Sequence, residues 1–321
     1  METLFGLAEL DRRRPRAATI GVFDGLHRGH RAVLRRLVRE ARRGNATATV
    51  VTFQPHPDAV LRGAPPPRLS DPEQLVDGVA ALGVDELVIQ PFDAAFSRLD
   101  PEPFLRLLGG GAGLRTFLMT PETAFGRDRR GDSATVAAIG ERLGFRVVLP
   151  RPLLVGGRPI SSSRIREAIA AGRLTEARRL LGRAPSVTGR VVPGAGRGRD
   201  LGFPTANLGF DQPVALPRDG VYAVRVAWRS GDRKGWSGEA GWRWGAGVAS
   251  LGRRPTFGPG ERVLEVHVFD IAEALYGTSM RVEFVRRQRG ERRFASPAGL
   301  VRQMKVDARR ARHILALNAD G

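Results

Sequence analysis

The sequence predicts two domains: an α/β domain with a parallel sheet and helices on both faces, followed by an antiparallel β-barrel with one C-terminal helix. The chain has 321 residues, which exceeds the usual size of a single core. Short apolar strands alternate with helical patterns up to Leu181, and this order is typical of a parallel sheet. After Pro185 strand follows strand, which favours an antiparallel barrel.

The elements of the first half alternate in a regular order. Strands are predicted at Ala17 to Phe23, Ala46 to Phe53, Glu86 to Pro91, Leu114 to Met119 and Phe145 to Leu149. Helices are predicted at Arg31 to Arg43, Glu73 to Leu82, Pro103 to Leu108, Ser133 to Leu143, Arg164 to Ala171 and Leu174 to Leu181. Ligands of such sheets bind where strands end and helices begin.

The second half is dominated by strands. They are predicted at Val187 to Val192, Val221 to Trp228, Ala246 to Leu251, Val263 to Phe269 and Arg281 to Arg287, with a closing helix from Ala298 to Leu317. Period-two alternation is clearest in the Val221 strand. Glycine and proline interrupt a helix at Gly182 to Ser186, so the predicted domains are residues 1–184 and 185–321.

Composition excludes several classes of protein. The chain contains no cysteine, which excludes disulfides, thiolate nucleophiles, iron–sulfur clusters and cysteine zinc sites, and fits a reducing compartment. No stretch approaches the roughly 18 apolar residues of a membrane span. The apolar start Leu4 to Leu10 has Glu2 and Glu9 around it instead of a basic region. We therefore expect a soluble cytoplasmic protein without a membrane partner.

The charge is strongly basic, with 52 basic and 33 acidic residues and a formal net charge of +19. Such a charge attracts polyanions. Only Lys234 and Lys305 are lysine, and the arginines are dispersed. Between Arg31 and Arg43 the apolar residues recur at helical spacing, so the arginines there occupy the other faces. We interpret them as solvated surface, which argues against a nucleic-acid partner, and the sequence leaves a homo-oligomer open.

The sharpest cluster of candidate functional residues follows the first strand and opens the first helix: Gly21-Val-Phe-Asp24-Gly25-Leu-His27-Arg-Gly29-His30. Free N–H groups at a helix N-terminus attract phosphate, a glycine lets a nucleotide approach the backbone, and histidines donate hydrogen bonds to phosphate oxygens. The alternatives are two surface histidines on a turn, or half of a metal site with His56 and Asp24. Zinc is disfavoured because the spacing is irregular and no second histidine-rich pair supports it.

Two later segments point to the same nucleotide pocket. Thr52-Phe-Gln-Pro-His-Pro57 follows the second strand, and Ile160-Ser-Ser-Ser-Arg-Ile-Arg166 supplies hydroxyls and guanidinium groups at another helix start. Taken alone, the first would be a rigid turn and the second a helix N-cap.

The second half carries six further motifs in order: Gly189-Arg-Val-Val192, Gly198-Arg-Asp-Leu-Gly-Phe-Pro-Thr-Ala-Asn207, Gly220-Val-Tyr222, Arg254-Pro-Thr-Phe257, Glu265-Val-His267 and Leu275-Tyr-Gly277. Together with the segments of the first half, they resemble the bacterial bifunctional riboflavin kinase/FMN adenylyltransferase family, also called FAD synthetases. The resemblance extends over nearly the whole chain.

The resemblance implies a Rossmann-like nucleotidyltransferase domain followed by a riboflavin kinase barrel. Riboflavin would be phosphorylated to FMN with ATP and Mg²⁺, and FMN would be adenylylated to FAD with release of pyrophosphate. It implies His27 and His30 in adenylyl transfer, and Glu265 as the base that accepts the proton of the riboflavin 5′-hydroxyl. The binding residues it implies are Gly21, Phe23, Asp24, Gly29, Ser162, Arg164, Arg166, Gly198 and, on the flavin side, Arg289 with Glu291.

The phosphate cradle of the second half is not a Walker loop, because neither lysine lies in such a motif. Gly194, Gly196 and Gly198 can bring backbone amides near phosphates. The Thr205 hydroxyl and the Asn207 carbonyl oxygen are hard ligands suited to Mg²⁺. The alternative for the glycine run is a flexible hairpin loop.

Glu265 belongs to an alternating strand. Leu264, Val266 and Val268 lie on one face, and Glu265 with His267 on the other. Glu265 therefore faces either the barrel interior or solvent.

The sequence departs from the family at one loop. Members carry Gly-x-Asp-Phe-x-Phe-Gly beside FMN, whereas this chain has Thr120-Pro-Glu-Thr-Ala-Phe-Gly126. We interpret this as a variant loop rather than a lost site. The alternatives are a riboflavin kinase with a degenerate adenylyltransferase half, and a basic nucleic-acid- or flavin-binding regulator without turnover. The tryptophans of residues 228–244 could stack on flavin, but a self-packed loop is the simpler interpretation.

Overall fold

The computed structural model describes residues 1–194, 198, 201–230, 241–253, 262–271 and 274–316. The features named above that lie outside these residues are Gly196, Arg199, Asp200, Lys234, Trp236, the motif Arg254 to Phe257 and Leu317. The chain divides into two compact units, Met1–Pro66 with Pro72–Ser161, and Pro67–Asp71 with Ser162–Gly321. The domain boundary that the sequence predicts after residue 184 stays a prediction.

The first unit is built on a six-stranded parallel sheet with the strand order β1-β4-β3-β2-β5-β6. Its elements are β1 (Glu2–Leu4), β2 (Arg16–Ile20), α1 (Arg28–Arg43), β3 (Thr47–Gln54), α2 (Pro57–Leu61), α3 (Pro72–Ala80), β4 (Glu86–Pro91), α4 (Ala94–Ser97), α5 (Pro101–Leu107), β5 (Leu114–Leu118), α6 (Ser133–Leu143), β6 (Arg146–Val148), β7 (Leu154–Val155) and β8 (Arg158–Pro159). The direction of winding reverses between β2 and β5, and ligands of open parallel sheets bind at this kind of point.

The predicted parallel sheet is confirmed, and its strands are buried as such sheets require. Every residue of β2 is buried, and Phe104, Leu105, Phe117 and Ile139 form part of the core on one face. The strand predicted from Ala17 is wrong at its end, however. β2 stops at Ile20, and Phe23 has a φ of +52° in the left-handed region, which strands do not use.

A buried ionic cluster joins three strands at the amino-terminal edge of the sheet. Arg16 is fully buried and donates from Nη2 to the Asp11 carbonyl at 2.7 Å. Glu86 lies 3.8 Å from the same Nη2 and accepts a hydrogen bond from Thr49 Oγ1 at 2.7 Å. Because these three side chains come from β2, β4 and β3, the cluster fixes this edge of the sheet, opposite the edge where ligands bind.

The second unit contains a closed antiparallel barrel with the strand order β10-β13-β12-β11-β14-β9, in which β9 and β10 also pair. Its elements are α7 (Ser162–Ala170), α8 (Leu174–Leu181), β9 (Ser186–Val192), β10 (Ala206–Gly209), β11 (Gly220–Arg229), β12 (Arg243–Arg253), β13 (Arg262–Val268), β14 (Ser279–Arg289) and α9 (Pro297–Ala316). The predicted barrel and closing helix are confirmed. The sequence analysis missed β10, which closes the barrel, because it is only four residues long.

The barrel is filled by one face of its strands and covered on part of the other face by α9. Leu264 and Val266 of β13 belong to the inner core. Ala311, Ile314 and Leu315 of α9 pack against the outer face. Glu265 therefore lies on the outer wall of the barrel and not in its interior.

The Trp-rich hairpin packs partly against its own strands. The Trp242 ring lies beneath two guanidinium groups, those of Arg229 at 4.6 Å and Arg281 at 4.8 Å. Arg243 lies 5.6 Å from the Trp228 ring. In the described part of the hairpin these tryptophans therefore contact arginines of the barrel wall.

In the ranges that the structure describes, no helix has the length and apolar character needed to cross a membrane.

Glu40 is a buried carboxylate that joins α1 to the edge strand β6. It is 3% exposed, accepts a short hydrogen bond from Arg146, and lies 2.6 Å from Arg36. The hydrogen bond from Arg146 holds the pKa of Glu40 below its ordinary value, although burial opposes this effect. The carboxylate therefore stabilises the fold only while it is ionised.

We expect Glu40→Gln to lower the free energy of unfolding by about 1–2 kcal/mol at neutral pH, since the arginine partners remain solvated. The pKa of Glu40 is lowered on folding, so its contribution is complete above the pKa of the unfolded chain. The contribution disappears as the pH falls through the lower pKa of the folded protein. Urea unfolding should show the difference between wild type and variant shrinking in acid. Glu141→Gln, on the exposed face of α6, is the control, and a difference independent of pH would contradict the assignment.

Candidate functional site

A pocket of about 580 Å³ lies at the carboxyl ends of β2, β3 and β4. Its walls include phenylalanine rings that pack edge to face, with centroids 5.4 Å apart for Phe53 and Phe92 and 5.0 Å apart for Phe104 and Phe125. Arginines stand among its lining residues: Arg62, Arg98, Arg127 and Arg129. An aromatic cavity with cationic groups suits a flat ring that carries an anionic group.

The variant loop contributes directly to this pocket. The hydroxyls of Thr120 and Thr123 are hydrogen-bonded at 2.9 Å, and the Thr123 N–H donates to the Thr120 carbonyl at 2.9 Å. Gly126 has a φ of +72°, and a Cβ there would lie 3.1 Å from the Leu99 carbonyl oxygen. The loop thus forms its own turn and retains the aromatic Phe125 and the glycine that follows it.

The paired histidines form one stacked unit at the start of α1. His27 is the N-cap of this helix, and its Nδ1 accepts a hydrogen bond from the His30 backbone N–H at 3.2 Å. The two rings stack with centroids 3.5 Å apart, and the edge of Phe23 meets His30 at 5.3 Å. Because Nδ1 is the acceptor, a neutral His27 carries its proton on Nε2.

Glycine is required at two positions for this packing. A Cβ on Gly29 would lie 3.1 Å from His27 Nδ1 and 3.6 Å from the Cβ of Ile160. A Cβ on Gly21 would lie 3.1 Å from the Phe23 ring. The space beside Gly29 is bounded by the His27 ring and by Ile160, and the predicted approach of a nucleotide to Gly29 stays a prediction.

His30 is held in its neutral form. Its Nδ1 is inaccessible to solvent and has no hydrogen-bond partner among the described residues. Burial, and then the neighbouring His27, lower the pKa of His30 well below its ordinary value. At neutral pH it is therefore a hydrogen-bonding imidazole and not a cation.

The segment Ile160 to Arg166 carries the other predicted nucleotide-site residues. Ser162, at the start of α7, belongs to the second compact unit, as do Arg164 and Arg166. There Arg164 lies 3.5 Å from Glu176 and Arg166 donates to the Pro67 carbonyl at 2.8 Å. Their approach to the histidines stays a prediction.

The metal alternative for the histidine motif gains no support. Asp24 lies in the turn before α1, while the Nδ1 of His56 accepts the Asp58 N–H at 3.1 Å and caps α2. Among the described residues, no group of three or more histidine and carboxylate side chains could hold a metal ion.

A second candidate site lies on the outer wall of the barrel. The strand register places Asn207 opposite Glu265, Glu265 opposite Ser250, Ser250 opposite Val221, and Val221 opposite Arg289. Directly paired residues of antiparallel strands point to the same face. These residues therefore form one row across five strands.

The helix α9 turns part of this row into a pocket of about 260 Å³. The barrel contributes Glu265, Ser250 and Arg289, and α9 contributes Leu300, Met304, Asp307 and Ala308. The sequence analysis missed Ser250 and Asp307. The sequence did carry a signal for Asp307, because this charged residue lies on the apolar side of α9, one helical turn after Gln303.

Gly194 and Gly198 bring the backbone close to the side chains of Asn207 and Thr205. A Cβ on Gly194 would collide with the Asn207 amide, and one on Gly198 would lie 3.1 Å from Thr205 Oγ1. Asn207 is 8% exposed, and it lies two residues from Thr205, so both side chains point to the outer face. A buried carbonyl oxygen beside a hydroxyl, cradled by backbone, fits a hard divalent cation such as Mg²⁺.

A third cavity, of about 310 Å³, adjoins the cradle from the other side. Its lining residues include Val191, Ile271, Leu275 and Tyr276. Thr205 lines both this cavity and the pocket under α9. Thr205 is therefore a wall that the two cavities of the barrel share.

Hydrogen bonds fix two of the side chains that line the pocket under α9. His267 Nδ1 lies 2.8 Å from the Pro204 carbonyl, which makes Nδ1 the donor and orients the peptide before Thr205. Arg289 donates from Nε and Nη2 to the Asp307 carboxylate, with the shortest distance 2.6 Å. The Glu291 carboxylate lies against the backbone of Gly252.

Comparisons with known proteins cover both halves of the chain. A family model described as FAD synthetase matches residues 10–164, and one described as riboflavin kinase matches residues 181–315. The bifunctional riboflavin kinase/FMN adenylyltransferase of Escherichia coli K12 is 36% identical over 301 residues, 93% of this chain and 92% of that protein. The protein of the same name from Pseudomonas fluorescens is 35% identical and covers 99% of both chains. A solved structure described as a macrolide-efflux protein from Streptococcus pneumoniae has a TM-score of 0.79 at 27% identity, covering 95% of this chain and 96% of that one.

The stacking of His27 and His30 can be tested by an NMR titration of their imidazole rings. We expect His27 as the Nε2–H tautomer and His30 uncharged at neutral pH, because burial lowers the pKa of His30. In His27→Ala the pKa of His30 should rise, since the shielding ring is gone. Ring ¹⁵N shifts measure both quantities. A His30 that titrates near its ordinary pKa in the wild-type protein would contradict the buried arrangement.

Proposed function

Because the chain belongs to the bifunctional riboflavin kinase/FMN adenylyltransferase family, it phosphorylates riboflavin to FMN and adenylylates FMN to FAD, and we propose here which residues carry each reaction. The observation that carries the kinase assignment is the row on the barrel wall, in which Glu265 stands between Asn207 and the pocket under α9. The stacked histidines beside the aromatic pocket carry the adenylyltransferase assignment.

In the kinase reaction, riboflavin occupies the pocket under α9 and ATP occupies the cavity beside Tyr276. Thr205 lines both, so the 5′-hydroxyl and the γ-phosphate meet at this residue. The 5′-oxygen forms a bond to the γ-phosphorus, the bond to the β-phosphate oxygen breaks, and ADP leaves. Glu265 accepts the hydroxyl proton, and catalysis depends mainly on positioning and charge stabilisation.

Thr205 and Asn207 are the proposed protein ligands of Mg²⁺ in this site. The buried Asn207 amide and the glycine backbone against it support this assignment. A bound Mg²⁺ would neutralise the charge of the ATP phosphates. Gly194 and Gly198 allow the backbone to approach those phosphates, which a side chain would prevent.

In the adenylyltransferase reaction, the isoalloxazine of FMN lies against the phenylalanine rings and its phosphate faces the arginines. A phosphate oxygen of FMN attacks the α-phosphorus of ATP, and pyrophosphate leaves. His27 and His30 donate N–H groups to the α-phosphate oxygens as charge develops there. Gly21, Phe23, Asp24 and Gly29 shape the turn that presents them.

Ser162, Arg164 and Arg166 are the proposed ligands of the triphosphate. The position of Ile160 beside Gly29 supports this, because it brings the start of their segment to the histidine motif. Arginine forks and hydroxyls suit phosphate oxygens. The cytoplasmic location and a homo-oligomeric state stay predictions.

The alternative function is that of a riboflavin kinase with a degenerate adenylyltransferase half. The variant loop is the observation that suggests it. The loop retains Phe125 and Gly126 and completes the aromatic pocket, which supports an active adenylyltransferase. A regulator without turnover would bind flavin but form no product. Incubation with riboflavin, ATP and Mg²⁺ separates the three: FAD indicates both activities, FMN alone the kinase, and neither product the regulator.

Glu265→Gln tests the kinase assignment. The variant keeps the shape of the side chain but removes the proton acceptor, so FMN formation should fall by about 10² to 10⁴. Conversion of supplied FMN to FAD is the internal control and should persist. Chromatography of the flavin products measures both rates. Equal loss of the two activities would indicate a folding defect, and full kinase activity would remove Glu265 from the role.

Replacing His27 and His30 together by alanine tests the other site. Loss of two donors to the α-phosphate should reduce FAD formation from FMN by at least about 10², while phosphorylation of riboflavin persists. His313→Ala, an exposed histidine of α9, is the matched control and should leave both rates unchanged. Retained FAD synthesis in the double variant would refute the assignment.

A further inference from the structure

The guanidinium of Arg289 is held rigidly at one end of the pocket under α9. Its side chain is 14% exposed and that of Asp307 6% exposed. Nε lies 3.1 and 3.0 Å from the two carboxylate oxygens, Nη2 lies 2.6 Å from one of them, and Nη1 donates to the Gly290 carbonyl at 2.9 Å. Gln303 Nε2 donates to the same carboxylate at 2.9 Å. Asp307 is thus the centre of a network that orients Arg289.

This network leaves Arg289 with donors to offer a ligand. A guanidinium has five N–H groups. The contacts with Asp307 and Gly290 engage three of them, one on each nitrogen. Among the described residues no acceptor is recorded for the second N–H of Nη1 or of Nη2. Arg289 lines the pocket, so these two N–H groups are available there.

The backbones of Arg289 and Glu265 lie well apart along the row. The register leads from Glu265 to Ser250, to Val221 and to Arg289. Three strand spacings of about 4.8 Å separate the two backbones by about 14 Å along the wall. If the 5′-hydroxyl of riboflavin lies at Glu265, the ribityl chain extends over the row and the isoalloxazine reaches the Arg289 end. The ring presents carbonyl oxygens, which accept hydrogen bonds from N–H donors.

We propose that Asp307 is a positioning residue of the kinase site, which holds Arg289 so that it donates hydrogen bonds to the ring carbonyls of riboflavin. Asp307 touches Arg289 and makes it a fixed, bidentate fork, and Arg289 recognises the flavin. Because Asp307 lies on α9 and Arg289 on the barrel, ring recognition also requires that the helix be seated. This proposal rests on the proposed function, in which Glu265 is the base and the pocket under α9 holds riboflavin.

The test is steady-state kinase kinetics of Asp307→Asn in the full chain. An asparagine retains one acceptor but turns an amide N–H₂ towards the guanidinium, so the bidentate pair is lost. The KM for riboflavin should rise about tenfold or more, the range of a charge-assisted hydrogen bond. The kcat and the KM for ATP should stay within about threefold, because the reacting end of the pocket is unchanged.

The chain offers a matched control in a second ion pair between α9 and the barrel. Arg312 of α9 donates from both terminal nitrogens to Asp270 at 2.7 and 2.8 Å. Neither residue lines the pocket under α9. Asp270→Asn therefore loosens the helix attachment without disturbing Arg289, and its KM for riboflavin should equal that of wild type. If Asp307→Asn and Asp270→Asn had the same KM for riboflavin, Asp307 would have only a structural role and the proposal would be overturned.

A second variant and a substrate analogue separate positioning from folding. Arg289→Lys keeps the charge but not the fork, and it should raise the KM for riboflavin as Asp307→Asn does. Riboflavin analogues with sulfur in place of a ring carbonyl oxygen are weaker acceptors, so wild type should bind at least one of them less tightly than riboflavin. Arg289→Lys should lose this preference. Persistence of the preference in the variant would refute recognition of the carbonyls, even if Asp307→Asn failed to fold.

The outcomes also separate this proposal from the one on which it rests. Full kinase activity of Glu265→Gln would remove the premise that fixes the direction of the flavin. A wild-type KM for riboflavin in Asp307→Asn, with Glu265→Gln inactive, would overturn only the role of Asp307. Tryptophan fluorescence reports whether the barrel of each variant is folded, because all four tryptophans of the chain lie in the second half.

Discussion

The site of the barrel depends on the two-residue period of β13. The closed core takes Leu264 and Val266, so geometry sends Glu265 and His267 to the outer wall. Residues on an outer wall are ordinarily solvated. Here α9 covers the row. Ala311 and its neighbours pack on the barrel, and the first half of the helix lines the same pocket as the Glu265 carboxylate. The helix therefore creates the pocket, and without it the row would lie open on the barrel wall.

In the parallel sheet, the candidate site is formed by a local turn between β2 and α1. Its ligand edge lies where β2 ends, and there the left-handed residues Phe23 and Leu26 turn the chain into α1. Strained backbone of this kind persists where the surroundings hold it in place. His27 caps the helix with one ring nitrogen, so its other nitrogen is defined as the donor. Helix capping and the proposed chemistry would thus use the two nitrogens of the same side chain.

The many arginines have structural partners that account for part of the basic charge. Arg16 joins three strands at one edge of the sheet, Arg146 reaches a buried carboxylate of α1, and Arg289 joins the barrel to α9. Arg16 and Arg289 each donate from two or more guanidinium nitrogens, which a lysine could not reproduce. A high positive charge therefore needs no polyanionic partner to explain these positions, as the dispersed arginines of the sequence indicated.

The sequence alone determined the order of the elements, the chemistry of the two sites and the resemblance that connects them. Helix and strand periods are local, so the bounds of α6, α8 and β4 agree with the prediction to the residue. Only the tertiary structure decided that Glu265 faces outward, that β10 closes the barrel and that Asp307 holds Arg289. A strand of four residues has too little pattern to be recognised, and a pair separated by 18 positions meets only when a helix docks on a sheet. Side-chain partners across the fold are set by packing and register, and neither leaves a local trace in the sequence.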